Sequence, residues 1–178
     1  MPFGFSHLIF AWFLGKSYEY IRKVNLYAAE FGFLMFGSVL PDADYLIDWT
    51  FNVHYHRLIS HSFLGLFAGF VICFLFVKLY NKLFNKNLNA RTLSLLLSIG
   101  ILSHIFLDMM QGTPGTPLFF PWDEWFYFFG VVDTYRSIGF SDRAINILTN
   151  NLRWAIFDIG LGIAFIFYLM LRGKINKL

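Results

Sequence analysis

The sequence predicts an all-α fold, a polytopic membrane bundle of four to five helices. Hydrophobic residues make up 57% of the chain and charged residues 14%, against roughly 45–50% and about 25% in soluble globular chains. The apolar residues also gather into runs close to the ~20 residues that a helix needs to cross a bilayer. A soluble domain of 178 residues has no room to bury so much apolar surface. We therefore expect the lipid bilayer as its solvent and residues 1–178 as a single integral membrane domain.

Four apolar runs approach the length of a membrane-crossing helix. They cover residues 24–40, 62–80, 92–110 and 154–171. A fifth run, residues 6–15, is short, and we expect it either to lie in the membrane interface or to lengthen through Tyr20.

The basic residues orient these runs. Of the 14 Lys and Arg residues, three lie at 16–23, four lie at 78–91 and three lie after 171. Four alternating crossings place these three segments on the same side of the membrane. Cytoplasmic loops are enriched in Lys and Arg, so we predict a multi-pass protein of the cell (inner) membrane. Residues 111–153 then form a long external loop whose aromatic rings suit the headgroup zone. The formal charge of +3 and the absence of a dense basic block give no reason to expect a nucleic-acid partner.

This topology brings polar residues from distant parts of the chain to the outer, extracytoplasmic end of the bundle. They follow the first long run, precede the second, lie in the outer half of the third, and begin the N-terminal run. The set consists of His7, Asp42, Asp44, His54, His56, Arg57, His61, His104 and Asp108.

The spacing of these residues is typical of metal ligands. His104 and Asp108 are four residues apart and share one face of a helix. Asp42 and Asp44 follow Pro41, and in an extended turn they would point the same way. Imidazole and carboxylate ligands suit Zn²⁺, with Mn²⁺ or Fe as alternatives. We predict the metal ligands Asp42, Asp44, His61, His104 and Asp108, with His7 as a sixth.

Other residues near this set have different predicted roles. Arg57 has no lone pair to offer a metal, and we expect it to receive an anionic group such as a phosphate. His56 is either a ligand or the general base, and the sequence leaves both open. Asp133 is a candidate either for a ligand or for a group that supports the ligands, and Asp158 is a candidate for supporting them. His54 is expected to be a loop surface residue.

Three functions remain open at this point. Ionisable residues within membrane spans cost roughly 2.5–3.5 kcal/mol each on insertion scales and mark functional sites. An ion or proton transporter would place them near the bilayer midplane, whereas this cluster lies at one end, which favours a hydrolase. A metal-stabilised membrane protein without catalysis would have a closed ligand shell.

Three blocks of the sequence resemble a known family. "GSVLPDAD", "HRLISHSFLG" and "SHIFLDMMQGTPGTPLFFPW" are similar to the YdjM-like family of membrane-bound, metal-dependent hydrolases, and the match extends from His7 to about Asp133. The resemblance implies a multi-helix inner-membrane hydrolase. It carries over Asp42, Asp44, His56, Arg57, His61, His104 and Asp108.

The chain departs from the family pattern at Tyr45, where a histidine is expected. This leaves one ligand fewer and the number of ions open. More remotely, the pattern resembles the all-helical zinc-dependent phospholipase C and P1 nuclease group, which implies phosphoester substrates by analogy. Our hypothesis from the sequence is metal-assisted hydrolysis of a phosphoester in a lipid or lipid-linked substrate.

Overall fold

The computed structural model describes residues 4–51, 57–111, 115–122, 124–128, 144–171 and 173. Within these residues the chain forms six α-helices, one 3-10 helix and no strand, so the predicted all-α fold is confirmed. The helices are α1 (Gly4–Arg22), α2 (Ala28–Gly37), α3 (Tyr45–Phe51), α4 (Phe63–Phe84), α5 (Ala90–Gln111) and α6 (Ala144–Leu171), and the 3-10 helix is Leu40–Asp44.

Helix α5 lies at the centre of the bundle. It packs against α2 and α4, while α1 contacts α6, α2 and α5. The buried residues Leu93, Leu97, Ile101 and Ile105 are spaced four apart, so they line one face of α5. Cys73 of α4 is buried in the same apolar cluster. The central helix therefore has two covered faces, and its outer end lies among the ends of its neighbours.

Helices α4 and α5 are long and apolar enough to cross a membrane. At 1.5 Å per residue, the 22 residues of each extend about 33 Å, and the hydrocarbon core of a bilayer is about 30 Å thick. Large apolar side chains of α4 are exposed, among them Phe67 and Ile72. Such a surface is suited to contact with lipid tails.

Some helix bounds differ from the predicted runs. The run 24–40 forms only the ten-residue helix α2, because Glu19 accepts a hydrogen bond from the Leu26 N–H in the preceding turn and the 3-10 helix begins at Leu40. The short run 6–15 lengthens past Tyr20 into α1. Helix α6 begins at Ala144, so residues 144–153 of the predicted loop are helical.

Two glycines bring α2 and α5 into backbone contact. A Cβ atom on Gly37 would lie 2.2 Å from the Leu97 carbonyl oxygen, and one on Gly100 would lie 2.2 Å from the Leu34 carbonyl oxygen. Small residues allow helices to approach this closely in membranes. The crossing places Ser38, which follows Gly37, against the part of α5 one turn beyond Gly100.

The described part of the segment after α5 folds back over the helix ends. Thr116 and Phe126 exchange backbone hydrogen bonds of 2.9 Å in each direction, and the Phe63 N–H donates to the Leu118 carbonyl at 2.9 Å. This second bond ties the segment to the first residue of α4. Trp122 is exposed, as an aromatic residue of the headgroup zone would be.

Candidate metal centre

Five of the predicted ligands meet at one end of the bundle. His7 is in the first turn of α1, Asp42 is in the 3-10 helix after α2, His61 precedes α4, and His104 and Asp108 are in the last turns of α5. Two overlapping groups can each hold an ion: His7, Asp42 and His104, and His61, His104 and Asp108. In each group one donor atom per residue lies within 4.8 Å of the others.

The ring of His104 is oriented by the backbone of α2. Its Nδ1 lies 2.8 Å from the Ser38 carbonyl oxygen. A carbonyl only accepts hydrogen bonds, so Nδ1 carries the hydrogen and the lone pair of the neutral ring is on Nε2. Fixing the tautomer in this way is how proteins commonly prepare a histidine for a metal.

The ring of His61 is oriented by a similar relay. Ser60 Oγ donates to Asp44 Oδ2 and lies 2.8 Å from Nδ1 of His61. Because its single hydrogen is used on the carboxylate, the hydroxyl oxygen accepts from Nδ1–H of His61. The neutral ring of His61 therefore also offers its lone pair at Nε2.

The two lone pairs point at the same place. Nε2 of His61 and Nε2 of His104 are 3.1 Å apart, a distance at which two acceptors repel each other unless a proton or a cation lies beside them. Asp108 Oδ2 is 3.2 Å from His61 Nε2, and Asp42 Oδ1 is 3.5 Å from His104 Nε2. The two nitrogens thus have a carboxylate close to each, and nitrogen and oxygen donors of this kind are the ones expected around a metal ion.

His7 is the group of this site whose side chain most needs a further partner. Its side chain is fully buried, and neither ring nitrogen has a hydrogen-bond partner among the described residues. An unsatisfied buried polar group costs about 1–3 kcal/mol. The ring stacks on His104 with centroids 3.8 Å apart, and its Nε2 lies 3.7 Å from Asp108 Oδ1. Ligation of an ion would satisfy one of the two nitrogens.

The charges of the site fit a divalent cation. With the histidines neutral, the carboxylates of Asp42, Asp44 and Asp108 face one guanidinium, that of Arg57, whose Nη2 is 3.1 Å from Asp108 Oδ2. Two negative charges remain, which is what one divalent ion cancels. The donor set is nitrogen and oxygen, so the residues fit Zn²⁺, Mn²⁺ or Fe.

Three groups that precede α4 have shifted acidities. Burial raises the pKa of Asp42, but the neighbouring His104 and His61 rings outweigh burial, so the net pKa lies below its usual range. Burial lowers the pKa of His61, but the Asp108 and Asp42 carboxylates outweigh it and raise the pKa above its ordinary value. The site thus attracts positive charge, with a proton and a metal ion in competition. Burial, followed by the Asp42 carboxylate, raises the pKa of Tyr45 to about 12, so this side chain stays a neutral phenol.

The tautomer of His104 limits the number of ions that the described ligands hold. His104 belongs to both candidate groups, yet only its Nε2 is available because Nδ1 donates to Ser38. One lone pair binds one ion. The two groups therefore cannot each hold an ion through His104 at the same time.

Asp44 lies behind the ligands. In a 3-10 helix successive residues turn by about 120°, so Asp42 and Asp44 point in different directions, unlike in the extended turn expected from the sequence. Asp44 accepts from the Arg57 N–H at 3.1 Å and from Ser60 Oγ. Its Oδ2 is 3.9 Å from His61 Nδ1, on the side of the ring opposite Nε2.

The remaining predicted residues divide into two sets. Asp158 of α6 is buried and hydrogen-bonds to the first turn of α1 at Ser6, next to His7. His56 and Asp133 lie outside the described residues, as does His54. Sequence reasoning missed Ser38 and Ser60. Ser60 adjoins His61 and could have been suspected, but Ser38 acts through its carbonyl, which no side-chain pattern reveals.

The comparison with known families is decisive on membership. The family model of the YdjM inner membrane protein matches residues 1–176. The chain belongs to the YdjM inner membrane protein family. The resemblance seen in the three sequence blocks is thus confirmed, and a YdjM protein is a protein of the inner membrane, with lipid as its surroundings. No curated protein and no solved structure matches the chain. The YdjM name itself specifies no reaction.

Proposed function

We propose that this YdjM protein is a membrane-bound hydrolase that uses one divalent cation, Zn²⁺ before Mn²⁺ or Fe, to cleave a phosphoester of a lipid or lipid-linked substrate. The observation that carries the proposal is the 3.1 Å approach of the Nε2 atoms of His61 and His104. Both lone pairs are fixed there by hydrogen bonds on the far side of each ring. That arrangement is costly unless a proton or a cation lies beside the two nitrogens, and it is suited to a metal cation.

The burial of the ligands favours catalysis over a closed structural site. His7, His61 and His104 are fully buried, whereas the side chain of Asp42 is 31% exposed. The cluster is therefore dry on its inner side and open to water at Asp42. Structural metal sites are closed by protein ligands, and catalytic sites keep a position open. A cation bound here would act as a Lewis acid and lower the pKa of a bound water to about 7.

Arg57 supplies the other part of a phosphoester site. Its guanidinium lies beside Asp108, and its side chain is 10% exposed. A fixed positive charge in a dry site stabilises the negative charge that develops on phosphoryl oxygens. Arg57 in this role positions the phosphate next to the cation, while Asp108 orients both the guanidinium and the cation.

The location of the cluster supports a lipid substrate at the membrane surface. The ligands lie at the ends of α1, α4 and α5, and the distribution of Lys and Arg favours the extracytoplasmic side with several crossings. A transporter would carry its binding residues near the midplane, usually on broken helices. Helix α5 is continuous from Ala90 to Gln111.

The first test is the metal content of the purified protein. Elemental analysis is expected to find about one Zn, Mn or Fe per chain, in line with one available lone pair on His104. His104→Ala and Asp108→Ala are expected to lose it. Ser94→Ala is the matched control, because Ser94 is also buried in α5 but bonds to the Ala90 carbonyl at the other end of the helix. A metal-free protein would refute the proposal.

The second test is turnover in proteoliposomes. Hydrolysis of phospholipid or of a generic phosphodiester is expected from the metal-loaded protein and not from His104→Ala. Cation flux without hydrolysis would instead identify a transporter. Bound metal with neither activity would identify a structural site.

A further inference from the structure

A second feature of the bundle is an apolar groove between α2 and α4, floored by α5. We define this α2–α4 groove by Gly32 and Phe36 of α2, Gly69 and Phe76 of α4, Leu97 of α5 and Leu40 of the 3-10 helix. Its volume is about 630 Å³, within the 300–1,000 Å³ typical of ligand pockets. All of its lining residues are apolar, which excludes a polar ligand.

Glycines create the space. A Cβ atom on Gly32 would meet no atom within 4 Å, and Gly32 is exposed, so the groove opens sideways at this residue. A Cβ on Gly69 would lie 2.6 Å from the Ile101 side chain, so Gly69 lets α4 sit close to α5 at the base. A larger residue at position 32 would occupy the groove without disturbing its walls.

One end of the groove lies on the same 3-10 helix as a residue of the candidate metal centre. Leu40, at one end of the groove, is two residues before Asp42 in the same 3-10 helix. The other end is at Ala29. Eleven residues separate the two, which is ~16 Å at the helical rise of 1.5 Å per residue. Half of the ~30 Å hydrocarbon core is about the same length, so the groove matches the depth of a single leaflet.

We infer that the α2–α4 groove binds one acyl chain of a phospholipid whose phosphate lies at the candidate metal centre. The inference rests on the proposed function and adds the way in which the substrate is recognised. The hydrocarbon chain contributes binding through buried apolar surface, and it fixes the position of the phosphate relative to Asp42 and Arg57. A polyprenyl chain would be too long for one leaflet, and a helix of a second copy of the protein, ~10–12 Å across with its side chains, would exceed the volume of about 630 Å³.

Gly32→Phe tests the inference, with Gly160→Phe as its matched control. Gly160 is exposed on α6, and a Cβ atom there also meets nothing within 4 Å. The full chain is placed in nanodiscs of phosphatidylglycerol that contain a phospholipid with a diazirine in mid-chain, irradiated, and analysed by peptide mass spectrometry. We expect labelling of residues 29–40 and 69–76 to exceed that around Gly160, and to fall in Gly32→Phe but not in Gly160→Phe. Labelling at equal levels on both surfaces would mean ordinary bilayer contact and would overturn the inference.

Hydrolysis kinetics separate the groove from the metal chemistry. Filling the groove is expected to lower kcat/KM for a long-chain phospholipid by about 10-fold or more, and to leave both metal content and hydrolysis of a short-chain, water-soluble phosphodiester unchanged. An unchanged long-chain rate, or an equal loss for both substrates, would overturn the inference while the proposed hydrolase stands. If neither substrate is hydrolysed, the proposed function fails, and the labelling result alone decides whether a phospholipid chain occupies the groove.

Gly32→Leu guards against a folding artefact. A leucine at this position fills less of the groove than phenylalanine, so the long-chain kcat/KM is expected to fall by an intermediate amount. Size-exclusion profiles and metal content that match the unmodified protein establish that each variant is folded. A loss that does not follow side-chain size would count against the groove as the chain-binding site.

Discussion

The carboxylate of Asp158 anchors the residue that precedes His7. Ser6 donates its backbone N–H to Asp158 Oδ1 at 2.8 Å, and the Ser6 hydroxyl donates to the same oxygen. The Phe5 N–H donates to the other oxygen at 3.1 Å. These hydrogen bonds satisfy N–H groups of the first turn of α1, which have no partners within the helix. A residue of α6 thereby fixes the turn of α1 that carries His7, which is one of the predicted ligands.

Replacing Asp158 is therefore expected to weaken metal binding although Asp158 is not a ligand. Asp158→Ala removes the acceptor of all three hydrogen bonds. The loss of such a supporting group is expected to raise the dissociation constant for the metal about 10–100-fold. Ser6→Ala removes one of the three bonds and should have a smaller effect. Competition with a chelating dye measures both. An unchanged dissociation constant in Asp158→Ala would show that α1 holds His7 without this anchor.

Ser60 and Ser62 are expected to separate metal binding from helix stability. Ser60 links Asp44 to His61 Nδ1, so Ser60→Ala frees the tautomer of His61 and should weaken metal binding about 10-fold or more. Ser60→Thr keeps the hydroxyl and should restore it. Ser62 instead caps α4, accepting from the Gly65 N–H at 3.2 Å. Ser62→Ala should cost about 1 kcal/mol of stability with little change in metal affinity.

Chelator competition and thermal unfolding together test this pair of serines. The expected pattern is opposite for the two alanine variants. If Ser62→Ala weakened the metal as much as Ser60→Ala did, the relay from Asp44 to His61 would not be what orients the ring.

The close approach of α2 and α5 is expected to be intolerant of side chains. In Gly100→Ala the new Cβ would lie 2.2 Å from the Leu34 carbonyl oxygen and 2.8 Å from the Ser38 N. The helices must separate, at a cost of typically 1–3 kcal/mol for overpacking, and Ser38 moves away from His104. Thermal unfolding of the apoprotein and metal affinity should both fall. Gly32→Ala on α2 is the control, because its Cβ meets nothing within 4 Å, and equal losses in the two variants would refute the argument.

Arg57 is expected to affect turnover and metal binding in opposite ways. Arg57→Ala removes the positive charge 3.1 Å from Asp108 Oδ2, so the carboxylate should attract the cation at least as strongly as before. Phosphodiester turnover, by contrast, should fall by about 10²–10³-fold with the loss of a charge-stabilising group. Arg57→Lys keeps the charge without the planar fork, and its turnover should lie between the two. A loss of metal in Arg57→Ala would show that the arginine is structural.

Part of the candidate site was predictable because it depends on local geometry. The four-residue spacing of His104 and Asp108 already places both on one face of α5, where their Nε2 and Oδ2 atoms lie 3.9 Å apart. The alternation of apolar runs and basic segments predicts that His7, Asp42, His61 and this pair share one end. Neither argument fixes which atom of each side chain faces the ion.

The direction of Asp44 illustrates where local reasoning fails. Extended and 3-10 backbones are both open to a Pro-Asp-Ala-Asp stretch. An extended backbone points the two carboxylates in the same direction, and a 3-10 backbone points them in different directions. The choice depends on what the segment packs against. Here Asp44 meets the Arg57 N–H and Ser60, 13 and 16 residues further along the chain.

The sequence by itself determined the helical membrane character of this protein and the set of side chains that gather at one end of it. Composition and periodicity suffice for this, because helix formation depends on neighbours three and four residues away. Only the tertiary structure decided that the Ser38 carbonyl, 66 residues from His104, fixes the tautomer of that ring, and that Asp158 secures α1. These contacts depend on how closely whole helices cross. Gly37 and Gly100 allow the close crossing because they have no side chain, and no local sequence pattern predicts which helices will meet there.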